Sequence, residues 1–67
     1  MIINLNNRLE ELPGNSMSIR DILKHMSFTF PHIIVKLNGQ LVKKPSYDDI
    51  MVNDGDVLNA IHLISGG

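Results

Sequence analysis

Apolar and polar residues alternate near the start of the chain, and this pattern predicts a β-hairpin. Ile3 and Leu5 lie between polar neighbours, as in a strand with one buried face. Asn6 and Asn7 follow, and asparagine tolerates the positive φ angles that a tight hairpin turn requires. The return segment at residues 8–12 is less regular, because its two leucines are three positions apart. We predict a second strand over this segment.

After the turn sequence PGN at 13–15, the spacing of apolar residues becomes helical. The residues that recur at the helical interval are Ile19, Ile22, Leu23 and Met26. Ser18 directly precedes this stripe and is the predicted N-cap. A helix of two to three turns is marginal by itself, so we expect it to pack its stripe against a sheet.

The second half of the chain predicts a second hairpin and a final strand. The nearly continuous apolar run from His32 to Leu37 is typical of a buried strand. Asn38-Gly39 is a strong hairpin signal, and QLV at 40–42 provides the return strand. Residues 46–50 predict one short helical turn. A turn at 53–56, with Gly55 at positive φ, precedes a last strand at 57–64.

Size and charge restrict the possible functions. The chain has 67 residues, which predicts one domain with most apolar side chains committed to the core. It contains no cysteine, which agrees with an intracellular location and removes thiolate chemistry. The formal net charge of -1 argues against nucleic acid as a partner. No secretory leader or membrane-spanning run is evident, so we expect a cytoplasmic protein that does not bind a membrane. The three histidines share no metal-ligand spacing, and we predict no metal site.

The chain ends with the sequence ISGG at 64–67. Glycine loses the most conformational freedom on ordering, so we expect a flexible tail over these four residues. Such a pair is useful when another protein must admit the end of the chain into a narrow site, because a residue without Cβ allows close backbone approach.

Three segments together resemble the ThiS family, the small sulfur-carrier proteins of thiamine biosynthesis. They are LNGQLV at 37–42, VNDGDVL at 52–58 and ISGG at 64–67. The resemblance implies an α+β fold of the ubiquitin-like β-grasp type, with a mixed sheet of about five strands packed on one helix. The whole chain, 1–67, is then a single β-grasp domain with a C-terminal diglycine tail.

The resemblance also implies a function that is not catalytic. The carboxylate of Gly67 is expected to be adenylated by an E1-like, ThiF-type adenylyltransferase that uses ATP and Mg²⁺, with Gly66 allowing entry to that site. A sulfur from a persulfide donor, such as a cysteine desulfurase, then displaces AMP. The resulting thiocarboxylate is expected to donate sulfur to a ThiG-type thiazole synthase. The chain itself binds no cofactor and acts as a protein cosubstrate, which agrees with its lack of a glycine-rich phosphate loop.

Partner recognition is expected along the last strand. In the β-grasp arrangement Leu58 and Ala60 point toward the helix, and the residues expected to bind partners are Asn59, Ile61, Leu63, Ile64 and Ser65. Exposed Ile61 and Leu63 on the open face form a candidate docking patch, although scattered apolar residues are also common on protein surfaces.

Four aspartates lie close to the last strand in sequence: Asp48, Asp49, Asp54 and Asp56. They either steer a basic partner or serve as turn residues. For Asp54 and Asp56 we favour the turn.

Other functions share the same tail chemistry. The chain could carry sulfur for molybdopterin synthesis or tRNA thiolation, although the absence of proline from HLISGG at 62–67 argues against the molybdopterin type. It could instead be an ubiquitin-like modifier joined through Gly67 to lysines. A plain β-grasp interaction module, with glycines of no consequence, is the remaining hypothesis.

Overall fold

A computed structural model describes residues 1–28 and 32–62 of the chain. The elements in chain order are β1 (Ile2–Leu5), β2 (Arg8–Glu11), β3 (Ser16–Ser18), α1 (Ile19–His25), β4 (Ile33–Leu37), β5 (Gln40–Val42), a 3₁₀ helix (Lys44–Ser46), β6 (Met51–Asn53) and β7 (Val57–His62). Five strands form one sheet in the order β2-β1-β7-β4-β5, and β3 pairs with β6 in a second, two-stranded sheet. β1 and β7 are parallel and the other pairs are antiparallel, so the larger sheet is mixed, as predicted.

Two tight turns connect the hairpins, and both have the predicted geometry. Asn6 and Asn7 have φ angles of 52° and 66°, and Asn38 and Gly39 have φ angles of 50° and 84°. Two consecutive positive φ angles are characteristic of type I′ turns, whose twist matches that of the flanking strands. Gly55 also has the predicted positive φ, at 86°.

The helix lies against the larger sheet and shields one face of it. Ser18 is the N-cap, and its side-chain oxygen accepts a hydrogen bond of 3.1 Å from the backbone N–H of Asp21. The buried core comprises Ile3, Leu5, Leu12, Ile19, Ile22, Leu23, Val35, Val42, Tyr47, Val52, Leu58 and Ala60. The helical stripe is therefore buried as predicted, and Met26 packs at the edge of the core.

Three local features differ from the sequence-based expectations. The pairing of β3 with β6 was not predicted, because each strand has only three residues and lacks a clear alternation. The 3₁₀ helix begins at Lys44, two residues before the predicted turn, although hydrogen bonds from Asp49 and Ile50 to the Ser46 carbonyl do form a turn there. In β4 only Val35 is fully buried. Ile33 and Leu37 share its face but lie at the ends of the strand and are half-buried, and Ile34 lies on the open face.

Strand β7 is described from Val57 to His62. Leu63 and Ile64, which were expected to continue it, lie outside the described residues. No helix in the described part of the chain is long and apolar enough to cross a membrane.

Candidate functional site: the end of β7 and the open face of the sheet

Strand β7 is central in the larger sheet and leads directly to the C-terminal residues. On one side, β4 pairs with it along its length, from Leu37 opposite Leu58 to Ile33 opposite His62. On the other side, β1 pairs with only its first part, at Val57 and Leu58. Among the described residues, the second half of β7 therefore has no neighbouring strand on the β1 side.

The side chain of Asn6 replaces this missing strand at Ala60. Its Oδ1 accepts a hydrogen bond of 2.8 Å from the Ala60 backbone N–H, and its Nδ2 donates one of 3.1 Å to the Ala60 carbonyl. The amide thus reproduces the donor and acceptor of a strand residue after the backbone has turned away at Asn6. We refer to this pair of hydrogen bonds as the Asn6 clamp. It holds β7 in the sheet two residues before His62.

The Asn6 clamp was not predicted from the sequence, which assigned Asn6 only a turn role. The two residues are 54 positions apart, and nothing local indicates that the asparagine amide reaches β7. The sequence offers no signal for this contact beyond the position of Asn6 in a predicted turn.

Asn38 fixes the start of β7. Its Oδ1 accepts a hydrogen bond of 2.9 Å from the Val57 N–H, and its own backbone N–H donates to the Val57 carbonyl at 2.7 Å. Its Nδ2 also donates to Asp56 Oδ1 at 3.3 Å. Both ends of the strand are therefore attached by asparagines in the two hairpin turns.

The two aspartates of the turn before β7 have structural partners. Asp56 Oδ2 accepts a hydrogen bond of 2.8 Å from the Asn53 N–H. Asp54 Oδ1 accepts one of 2.7 Å from the Ile2 N–H, and the Gly55 N–H donates to the Ile2 carbonyl. These contacts confirm the turn interpretation for both residues.

Asp48 is also engaged within the chain. Its Oδ1 lies 3.0 Å from Arg20 Nε, and the Arg20 guanidinium lies 5.6 Å from the centre of the Tyr47 ring. Asp48 is well exposed and Arg20 is partly exposed, so the ion pair is screened by solvent and contributes little to stability. Asp49 remains exposed, and a steering role for the acidic residues stays a prediction.

The predicted orientation of β7 is confirmed over the described residues. Leu58 and Ala60 are buried on the helix side, Asn59 is half-buried and Ile61 is 49% exposed. Ile34 of β4 lies directly opposite Ile61 on the same face. The other predicted site residues, Leu63, Ile64, Ser65, Gly66 and Gly67, lie outside the described residues.

The open face of the sheet carries more apolar surface than Ile61 alone. Six large apolar side chains in the described residues are exposed, and strand register places five of them on this face: Ile2, Leu9, Leu41, Val57 and Ile61. The sixth, Met51, belongs to β6. Sequence reasoning missed the other four because their shared face depends on which strands are neighbours. An apolar face of this kind is typical of an interaction surface.

The described residues offer no cluster of metal-binding side chains. Within residues 1–28 and 32–62, no three histidine, aspartate or glutamate side chains are grouped as metal ligands would be. The apolar open face and the Asn6 clamp both lie beside the last described residues of β7.

One family model matches the chain, and solved structures share its fold. The ThiS family model matches residues 3–67. The crystal structure of a thiamine biosynthesis protein (ThiS) from Geobacter metallireducens superposes with a TM-score of 0.88 at 23% identity, covering 100% of both chains. An NMR solution structure of a thiamine biosynthesis protein from the same organism gives a TM-score of 0.81 at 23% identity, covering 100% of this chain and 88% of that one. The predicted ubiquitin-like β-grasp fold is confirmed.

Proposed function

The chain belongs to the ThiS family, and we propose that it carries sulfur as a thiocarboxylate on Gly67 for thiazole formation in thiamine biosynthesis. Family members are small sulfur-carrier proteins and not catalysts. The observation that carries the proposal is the extent of the family match, which runs from residue 3 through the diglycine at 66–67.

The chemistry begins with the poor reactivity of a carboxylate. An oxygen of the Gly67 carboxylate attacks the α-phosphorus of ATP in the activating enzyme, which forms an acyl-adenylate and releases pyrophosphate. The terminal sulfur of a persulfide then attacks the acyl carbon and displaces AMP. A thiol cleaves the resulting acyl disulfide, leaving the thiocarboxylate on Gly67 and a disulfide. ATP, Mg²⁺ and the persulfide belong to the partner proteins in this scheme.

The contribution of this chain is to present its end. The Asn6 clamp and the continuous pairing of β4 with β7 support this role, because they hold the last described residues of β7 in a fixed direction. The glycines at 66 and 67 would then enter a narrow site without side chains to obstruct them.

The open face is the proposed docking surface for the activating enzyme and the thiazole synthase. Its apolar residues flank β7, so a partner seated there would lie beside the strand that leads to Gly67. Asn59 and Ile61 contribute from the described part of β7, and Leu63, Ile64 and Ser65 are proposed to continue the contact. The partners in this proposal are a ThiF-type adenylyltransferase, a ThiG-type thiazole synthase and a persulfide donor such as a cysteine desulfurase, all in the cytoplasm.

The test is the intact mass of the protein after incubation with ATP, Mg²⁺, a persulfide source and the activating enzyme from the same organism. We expect a mass increase that matches replacement of one oxygen by sulfur, located at Gly67 by fragmentation. Omission of ATP and deletion of Gly66 and Gly67 are the matched controls. An unchanged mass with a demonstrably active enzyme would contradict the proposal, and conjugates to lysines would favour a protein modifier.

Transfer to the thiazole synthase tests the second half of the proposal. The thiocarboxylate form, mixed with that enzyme and its other substrates, should return to the carboxylate mass as thiazole forms. Loss of sulfur only in the presence of a molybdopterin or tRNA-thiolating enzyme would assign the carrier to one of those pathways.

A further inference from the structure

A further surface lies at the outer edge of the sheet, on the β5 side of β4, and it meets the open face at Ile34 and Leu41. A depression of about 220 Å³ is formed where β4 begins and β5 ends. Its lining comprises Ile33, Ile34, Leu41, Val42, Lys43, Lys44 and Tyr47. We refer to it as the β4–β5 corner. It is mainly apolar, and both of its charged residues are lysines.

Backbone groups at the β5 edge are available for pairing. In a two-residue hairpin the residues that flank the turn exchange hydrogen bonds, so Leu37 pairs in this way with Gln40, and Val35 with Val42. The N–H and C=O of the intervening Leu41 therefore point away from β4. β5 is the last strand of the sheet order, so these groups face outward in the described structure. An exposed edge of this kind accepts an added strand.

The lysines give the corner a positive charge that the chain does not neutralise. Lys43 and Lys44 are exposed, and neither has an ion-pair partner among the described residues. The nearby Asp48 is paired with Arg20. Because the whole chain has a formal charge of -1, this pair of lysines is a local feature and not part of a general basic surface.

We propose that the β4–β5 corner binds an extended, acidic segment of a partner protein, which adds a strand beside β5. One apolar side chain of the segment occupies the depression, and neighbouring carboxylates contact Lys43 and Lys44. The depression is smaller than the roughly 300–1,000 Å³ of typical small-molecule pockets, which favours a side chain over a cofactor.

The position of the corner makes such a contact compatible with use of the C-terminus. β5 and β7 are separated by β4 alone, so they lie about 10 Å apart at the usual strand spacing. A partner segment bound at β5 covers Ile34 and Leu41 at one margin of the open face and leaves Ile2, Leu9 and Val57 accessible. The corner would therefore serve as a second attachment point while the end of the chain is in use.

The test uses the full-length chain, uniformly ¹⁵N-labelled, and a capped peptide. The peptide has the sequence Val-Leu-Val followed by three aspartates. We expect saturable NMR shifts at residues 33–34 and 40–47, together with slower hydrogen exchange of the Leu41 amide. A peptide with lysines replacing the aspartates is the control and should bind at least tenfold more weakly. The experiment needs neither ATP nor an enzyme, so its result is independent of the sulfur-carrier proposal.

Variants separate the two parts of the recognition. Lys43→Glu combined with Lys44→Glu should weaken binding roughly tenfold, whereas Lys24→Glu, on the exposed side of α1, should not. Leu41→Pro removes the outward N–H and should abolish the saturable shifts at residues 33–34 and 42–47. Proline is tolerated on edge strands, so the fold should persist. Thermal melts of every variant confirm folding.

Four results would overturn the proposal. They are the absence of saturable shifts at millimolar peptide, shifts centred on Ile2, Val57 and Ile61, binding unaffected by the lysine reversals, and self-association through β5. Deletion of residues 63–67 provides a last check. If this deletion, measured without any peptide, reproduced the shifts at 40–47, the occupant of the corner would be the chain's own C-terminus.

Discussion

Replacement of Asn6 by alanine tests how the sheet holds the last part of β7. The substitution removes both hydrogen bonds to Ala60, each part-buried and at 2.8 and 3.1 Å. A hydrogen bond of this type contributes about 1 kcal/mol net, so the Asn6 clamp contributes about 2 kcal/mol. Asn6 also has a φ of 52°, a conformation that costs alanine a further 1 kcal/mol or so. The expected loss in the free energy of unfolding is about 3 kcal/mol.

Asn7 provides a matched control within the same turn. It is an exposed asparagine with a φ of 66°, and its side chain makes no hydrogen bond to the described residues. Asn7→Ala should therefore lose only the conformational part, about 1 kcal/mol. The difference between the two variants, about 2 kcal/mol, isolates the clamp.

Urea unfolding at 25 °C measures this difference, provided that both variants have the same m-value. A domain of this size has a stability of only several kcal/mol, so a loss of about 3 kcal/mol removes much of it. The variants Asn6→Gly and Asn7→Gly make the same comparison with a smaller total loss. Glycine removes the conformational cost and leaves the same gap of about 2 kcal/mol. Hydrogen exchange of the Ala60 amide should accelerate in the Asn6 variants alone. Equal destabilisation at the two asparagines would refute the clamp.

Three further substitutions test the core, the docking face and the C-terminus. Leu58→Ala should lower the free energy of unfolding in urea by about 2–5 kcal/mol, because Leu58 is fully buried beneath α1. A loss below about 1 kcal/mol would place Leu58 outside the core. Ile61→Asp should weaken binding to the activating enzyme in titration calorimetry while changing the free energy of unfolding by less than about 1 kcal/mol. Met51→Asp is the control, because Met51 is as exposed as Ile61 (47% against 49%) but lies off the open face, and it should leave binding intact. A large loss of stability in Ile61→Asp would mean that the faces of β7 are reversed. Gly67→Ala should melt at the unchanged temperature, since the core cluster lies within residues 3–60, yet lose most adenylation measured by pyrophosphate release. Unchanged adenylation would show that the partner site tolerates a Cβ.

The sequence was sufficient where a local rule determines the structure. Positive φ at Asn6, Asn7 and Asn38 follows from residues that accept that conformation, and each turn was predicted correctly. The helix was predicted in the same way, because its apolar spacing and the Ser18 cap both lie within one short segment. The diglycine and the DGD turn are also local features of the sequence, and they carried the resemblance to the ThiS family that the comparison confirmed.

Tertiary structure alone decided the features that depend on distant segments. The pairing of β3 with β6 joins Ser18 to Met51, and the Asn6 clamp joins residues 54 positions apart. Neither contact can be detected from the periodicity of apolar residues, because a three-residue strand is too short to show alternation and a single side-chain amide has none. The alternation within each strand likewise divides its side chains between two faces without showing which strands become neighbours. The assembled sheet order placed Leu41 and Ile61 on one open face and left β5 with an unpaired edge.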